Sequence, residues 1–507
     1  MWFGAKQSFN GWATLQDFSN MITIQAKKHD NFSVEFKCGY EDMSGRKKVD
    51  FAVNTWIFVP NSLDVNPENY GKKQFYRDIK SNVRLITPVY LLRDIAEEDS
   101  LPYVQLRNAL EALVRYPSPE QIDDYEYHLK MYAAIFRSAQ RNQSHHIRRG
   151  RSIKNDGYLI RDYVADSERI LAQFRSLYHI IDVPTIKSDV RKYFHLVDEF
   201  MSQILTVQCL RTMRYLDSVE NNPVVSELKS LLTKLIEYER EYKTNMSYFT
   251  VSSDVKNNTL MVFHHGMLKK YVESDLYVKL DKKRDGVAVE QIYYSIAAGV
   301  AMIFATSVAW ITQLRYGNIT LPLFVALVVS YMLKDRIKDL MRYYFAHRLG
   351  NKYYDKKALV SIGKKKIGLI KEGVDFISPA KVPSRVMSLR DSLATIQDAT
   401  NIFDEKIILF RKHVTLNDAV LMDNDEYPMR GINEIVRLHL HRFAQKMDNP
   451  EIPVDTLDDA GNVKSVKVPK IYYLHVVFQL KHDDQEEYKH FRITMTRNGI
   501  VKLEENK

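Results

Sequence analysis

Hydrophobic and polar positions change rhythm several times along this chain. Near the start they alternate with period two: Met21-Ile22-Thr23-Ile24, Phe32-Ser33-Val34-Glu35-Phe36, then Val49 through Val59, rich in β-branched and aromatic residues. A small sheet is predicted there, broken by Pro60-Asn61-Ser62 and Asn66-Pro67-Glu68. From Ser100 to Tyr277 the spacing turns helical. Ser118, Pro119 and Gln121 form a capping-box start for a helix running toward Arg149. Val190, Phe194, Val197, Met201 and Ile204, continued by Leu205, Cys209, Met213 and Leu216, mark one long amphipathic helix between Pro184 and Asn221-Asn222-Pro223. Leu228, Leu231, Leu232, Leu235 and Tyr242 mark another that packs back antiparallel, so the middle of the chain reads as a helical bundle. Toward the C-terminus the spacing predicts a helix over 432–446 and strands over 471–480, 488–496 and 500–503. The last two strands are joined by the hairpin signal Asn498-Gly499 into a β meander.

Between these parts the rhythm disappears. Ile292 to Gln313 and Ile319 to Leu333 are apolar on all faces and free of charge, separated only by Leu314-Arg315-Tyr316-Gly317-Asn318. The first run spans about 33 Å as a helix and matches the roughly 30 Å core of a bilayer. The second covers only about 22 Å and needs local thinning, or snorkelling by Arg315 and Lys334, to complete a crossing. The expectation is a transmembrane helical hairpin; the alternative is a buried hairpin in a soluble core. Lys279, Lys282, Lys283 and Arg284 precede it, and Lys334, Arg336, Lys338 and Arg342 follow, which predicts two passes with both termini cytoplasmic. The first residues, Met1 to Lys6, lack the pattern of a signal peptide, so the hairpin is expected to direct insertion. Ala297, Ala301, Ala305 and Ala309 repeat every four residues, and Ala326 and Ser330 offer small partners on the second run. That stripe serves either packing inside the hairpin or self-association of protomers into a homo-oligomer. After Leu333 an amphipathic extension to Leu349 either lies on lipid or docks on the bundle.

Composition changes this picture little. Two cysteines in 507 residues, Cys38 and Cys209, fit a reducing compartment without a disulfide framework, and the net charge of +10 is partly explained by the hairpin flanks. Charge matters more locally. Tyr127 to Asn155 carries Lys130, Arg137, Arg141, Arg148, Arg149, Arg151 and Lys154 without an acidic residue, a positive field suited to anionic lipid, nucleic acid or an acidic protein. A solvated helix end neutralised by acidic neighbours is the plainer reading.

No cofactor or metal is expected. His145-His146 and His264-His265 are adjacent rather than three or four apart, and His439 and His441 diverge on the predicted helix. Asp423-Asn424-Asp425 opens like a calcium loop, but Pro428 stands where glycine is required. Gly363 to Gly368 has phosphate-loop spacing without the following Lys and Ser or Thr, and reads as a basic turn between strands. Arg77 with Asp78 reads either as a small site or, more plainly, as an exposed charge pair beside an aromatic core turn. No nucleophile elbow or protease-type cysteine signature occurs, so no catalytic activity is predicted and whether the chain is an enzyme stays open.

Trp56-Ile57-Phe58-Val59-Pro60-Asn61-Ser62-Leu63 running on to Phe75-Tyr76-Arg77-Asp78, and Arg315-Tyr316-Gly317-Asn318 running through Leu333-Lys334-Asp335-Arg336-Ile337-Lys338, resemble stretches of a group of uncharacterised bacterial two-helix membrane proteins. The resemblance implies an inner-membrane location and brings no activity with it. The chain therefore reads as an α+β multidomain membrane protein: a β-rich region over 1–99, a helical bundle over 100–291, the hairpin over 292–333, its extension over 334–349, and an α+β region over 350–507 ending in the meander. A membrane-anchored scaffold or regulatory protein is the expected function, with a sensor-effector or enzyme that binds an anionic ligand or nucleic acid through residues 127–155 as the alternative.

Overall fold

The computed structural model describes residues 22–42, 46–149, 153–219, 223–317, 320–350, 354–363, 365–391, 405–422, 427–459 and 461–506. It is α+β and ends in a β meander, and the chain divides into two units.

The first unit gathers residues 1–83, 279–421 and 431–507. Its strands are β1 (Ile22–Lys28), β2 (Ser33–Glu41), β3 (Val49–Pro60), β4 (Ile79–Leu85), β5 (Lys279–Arg284), β6 (Lys356–Ile362), β7 (Lys365–Ile377), β8 (Glu405–Leu416), β9 (Gly431–His439), β10 (Glu451–Leu457), β11 (Val463–Pro469), β12 (Tyr472–His482), β13 (Gln485–Thr496) and β14 (Gly499–Asn506). Eight of them form one sheet in the order β14-β13-β12-β3-β8-β7-β6-β5, and four form a second in the order β1-β2-β9-β4. β3 lies between β12 and β8, with Phe58 opposite His475 and Trp56 opposite Leu409. The N-terminal and C-terminal β-rich regions, whose union the sequence leaves open, thus contribute strands to one sheet of one unit. The inner faces meet through aromatic side chains, with Phe36 of β2 packed edge-on against Phe478 at 5.0 Å and Phe491 at 5.8 Å. β10 and β11 make a separate ribbon exposed along its length.

The helix expected over 432–446 is instead β9 followed by the short helix His441–Gln445. Ile432, Glu434, Val436 and Leu438 all point inward with period two, but the inward glutamate hides the alternation from a purely apolar count. Glu434 is tolerated because it receives the Lys412 ammonium and the Ser81 and Tyr40 hydroxyls. Lys412 reaches Glu372 as well, at 3.1 Å.

Two helices, Val287–Tyr316 and Leu321–Gly350, are inserted between β5 and β6 and pack against each other. The first begins five residues earlier than its charge-free run. It is long and apolar enough to cross a membrane, and only 11% of its most apolar window is buried. That exposure is unlike the core helix of a soluble protein. The second does not meet the same criterion, because Lys334, Asp335, Arg336 and Lys338 follow Leu321–Leu333, about 20 Å of apolar helix. Arg342 lies 5.2 Å over the Tyr294 ring, so those charged residues stand alongside the apolar middle of the first helix.

The second unit, residues 84–278 and 422–430, is a helical bundle. Its principal helices are Leu101–Arg115, Pro119–Arg149, Ile153–Ser176, Ser188–Asp217, Pro223–Asn245 and Val255–Val272. The Ser118 hydroxyl accepts from the Gln121 N–H at 3.3 Å, the predicted cap. Phe174 stacks on Phe194 at 4.4 Å and on Tyr132 at 5.6 Å, tying three helices together.

Candidate anion-binding site

Lys130, Arg137 and Arg141 are spaced by seven and then four residues, so they share one face of the Pro119–Arg149 helix. That face meets the turn after the Val255–Val272 helix, which supplies Glu273 and Asp275, and the end of β4, which supplies Arg84. Arg84 is fixed by a bridge to Tyr277. Lys130 is neutralised by Glu126 at 2.6 Å and Asp275 at 3.5 Å. Farther along the helix the balance fails. Arg84 donates to Glu273 at 3.3 Å, Arg137 pairs with the same carboxylate oxygen, and Arg141 joins them without any ion pair among the described residues. Two guanidinium groups thus share one carboxylate that is almost entirely buried, with Arg141 close enough to Arg84 and Arg137 to repel both.

Electrostatics register the crowding. Loss of water, then the charges of Arg84 and Arg141, pull the Arg137 guanidinium down to about 10. Although its own surface is exposed, Arg141 stands among dense protein, and desolvation followed by the Arg84 charge lowers it too. One turn on, His145 is lowered by desolvation and then by Arg149, Arg148 and Arg141. A second negative group beside Arg141 would relieve this repulsion, and a phosphate or carboxylate has the geometry for guanidinium forks.

Of the residues expected to bind anions, Arg137 and Arg141 converge on this site. Arg148 turns back to donate to the Ser144 carbonyl at 3.0 Å, and Arg149 is exposed at the helix C-terminus, where cations favour the helix dipole. Arg151 lies outside the described residues, and Lys154 sits in the first turn of the following helix. Arg84 and Glu273 escaped the sequence reading. Neither stands in a charged run, and nothing in Ser81-Asn82-Val83-Arg84-Leu85 signals a partner more than fifty residues away.

On the hairpin, Ala297, Ala301 and Ser330 are buried and Ala305, Ala309 and Ala326 half-buried, so the small residues face the neighbouring helix. A groove of about 600 Å³ runs along the seam, lined by Phe304, Val308, Val325, Ala326 and Val329 among others. Asp78, expected exposed beside Arg77, is buried and held by Tyr70 at 2.9 Å and Arg442 at 3.1 Å.

The bundle also holds a polar network. Arg175 donates to Asp198 and, through both terminal nitrogens, to Glu239; Tyr242 and Tyr248 donate to Asp198, and Ser202 to Glu239. Its carboxylates are fully engaged with neighbouring donors, which suits a register-fixing role rather than ligand capture. No three of His, Cys, Asp and Glu converge as a metal site among the described residues. Cys38 and Cys209 are buried free thiols, both pushed up to about 12, mainly by burial. No protein-family model, curated protein or solved structure matches the chain.

Proposed function

We propose that this chain is a membrane-anchored scaffold or regulatory protein that holds an anionic group, a phosphate ester or phosphate-bearing headgroup, at Arg84, Arg137 and Arg141. The observation that carries the reading is the sharing of one Glu273 oxygen by Arg84 and Arg137, with Arg141 near enough to repel both. The apolar outer surface of the hairpin supports the anchor: Ile303, Trp310 and Phe324 are each about two-thirds exposed (67%, 67% and 65%). Two passes, with Lys334 and Arg315 snorkelling to opposite interfaces over a locally thinned bilayer, accommodate the short second helix. The basic flanks favour a cytoplasmic position for both units, and the likeness to two-helix bacterial membrane proteins favours an inner membrane.

The test is calorimetric titration of the full chain in zwitterionic nanodiscs with inorganic phosphate and glycerol phosphate. Arg84→Gln and Arg141→Gln are each expected to weaken binding by about tenfold, with a marked salt dependence in the parent. Equal affinity in parent and variants would overturn the assignment. Tight RNA binding that survives both substitutions but is lost on charge reversal at Arg148 and Arg149 would move the partner to nucleic acid.

A further inference from the structure

The Val255–Val272 helix is held on one side and bare on another. Leu268 and Val272 are buried, and His264 Nε2 meets Glu199 Oε2 at 2.9 Å. Glu199 also accepts the Phe249 N–H at 3.2 Å, and Phe249 packs on the His264 ring at 4.6 Å. The underside is thus anchored to the Ser188–Asp217 helix. On a neighbouring face, about 105° round the helix, Leu260, Phe263 and Met267 recur at three and four residues and are 57%, 68% and 48% exposed. Val255 and Val262, exposed at 76% and 66%, lie on another side of the helix, and Val251, exposed at 73%, precedes it. Lys256 and Lys270 close the stripe at its two ends.

We infer that this face is a lipid-contact surface: the helix lies in the headgroup region of an anionic membrane with Leu260, Phe263 and Met267 dipped toward the acyl chains. A contiguous apolar stripe capped by lysines is the arrangement of an interfacial helix, in which the lysine stems snorkel and their ammonium groups meet phosphates. Charge complementarity continues past the helix, where Glu273 opens onto Arg84, Arg137 and Arg141. Chain reach also permits it. Fourteen residues separate Val272 from Val287, so the helix end stays within about 50 Å of the start of the membrane helix. The inference rests on the hairpin reading of the proposed function.

The experiment labels Phe263→Cys, or separately Val328→Cys in the middle of the short apolar helix of the hairpin, with an environment-sensitive fluorophore. Cys38 and Cys209 are buried and can remain. The full chain is reconstituted in vesicles of phosphatidylcholine and phosphatidylglycerol carrying nitroxides near the headgroup or deep in the chains. Quenching on the order of two-fold at Phe263 by the shallow nitroxide, with deep quenching at Val328, is the expected result. A water-exposed, unquenched Phe263 label beside a quenched Val328 label overturns the lipid-contact helix and leaves the hairpin standing. Absence of quenching at both sites overturns both. Self-quenching at Phe263 that rises with protein density, without nitroxide quenching, assigns the face to a second copy and overturns the proposal.

Discussion

Glu273 sets the balance of the arginine cluster. Replacing it by Gln keeps the size of the side chain and removes the carboxylate that Arg84 and Arg137 share beside Arg141. The expected cost is about 3–5 kcal/mol, and saturating phosphate should restore more thermal stability in this variant than in the parent. Equal recovery in both would separate the anion from the cluster. A second residue-scale consequence lies in the C-terminal meander, where buried His475 and His490 stack with Nδ1 and Nε2 3.1 Å apart. Burial first, then the Arg390 charge, takes them from 6.5 down to about 3 and about 4. These folded values are depressed, so the neutral rings contribute fully above 6.5, and that contribution is lost as pH falls from 6.5 toward 3. The melting temperature should drop over this window, and the drop should shrink in a His475→Asn, His490→Gln double variant. At this scale the sequence revealed the arginine-rich helix but not its focus. A run of like charges is visible in a string of letters, whereas the meeting of Arg84, Arg137 and Glu273 depends on a strand end and a turn brought together by tertiary packing.

Elements with their own local signals were legible. The capped helix from Pro119, the long helix through Val190 to Leu216 and the strands joined at Asn498-Gly499 all have boundaries set by nearby residues. β9 was not, because its inward Glu434 is satisfied by groups from β2, β4 and β8 that no local pattern announces. That ion pair links the two sheets of its unit. Lys412→Met should therefore destabilise by about 3–5 kcal/mol, since it strands Glu434 and Glu372 together in the interior. Adding Glu434→Leu and Glu372→Gln should recover most of the loss, as read by denaturant unfolding in detergent. A single variant as stable as the parent would mean that water or a neighbouring side chain replaces the ammonium at no cost.

For the whole molecule, the proposed two-pass anchor would fix which compartment each unit occupies. With an even number of crossings, an impermeant thiol reagent applied to intact cells should label Gly317→Cys and leave cysteines placed near either terminus unlabelled until lysis. Labelling of one terminus from outside would mean a single crossing by Val287–Tyr316. The point of insertion has a further consequence. Arg284 of β5 and Lys356 of β6 are directly paired, so everything between them enters and leaves the fold through one rung of a ladder. The helix pair is thus a cassette. On the proposed membrane reading, excising residues 285–355 and joining the strands through Asn-Gly should leave the sheet ladder paired and release the chain from the bilayer, soluble without detergent yet still recruited to anionic vesicles by whatever lipid-binding surface the helical unit retains.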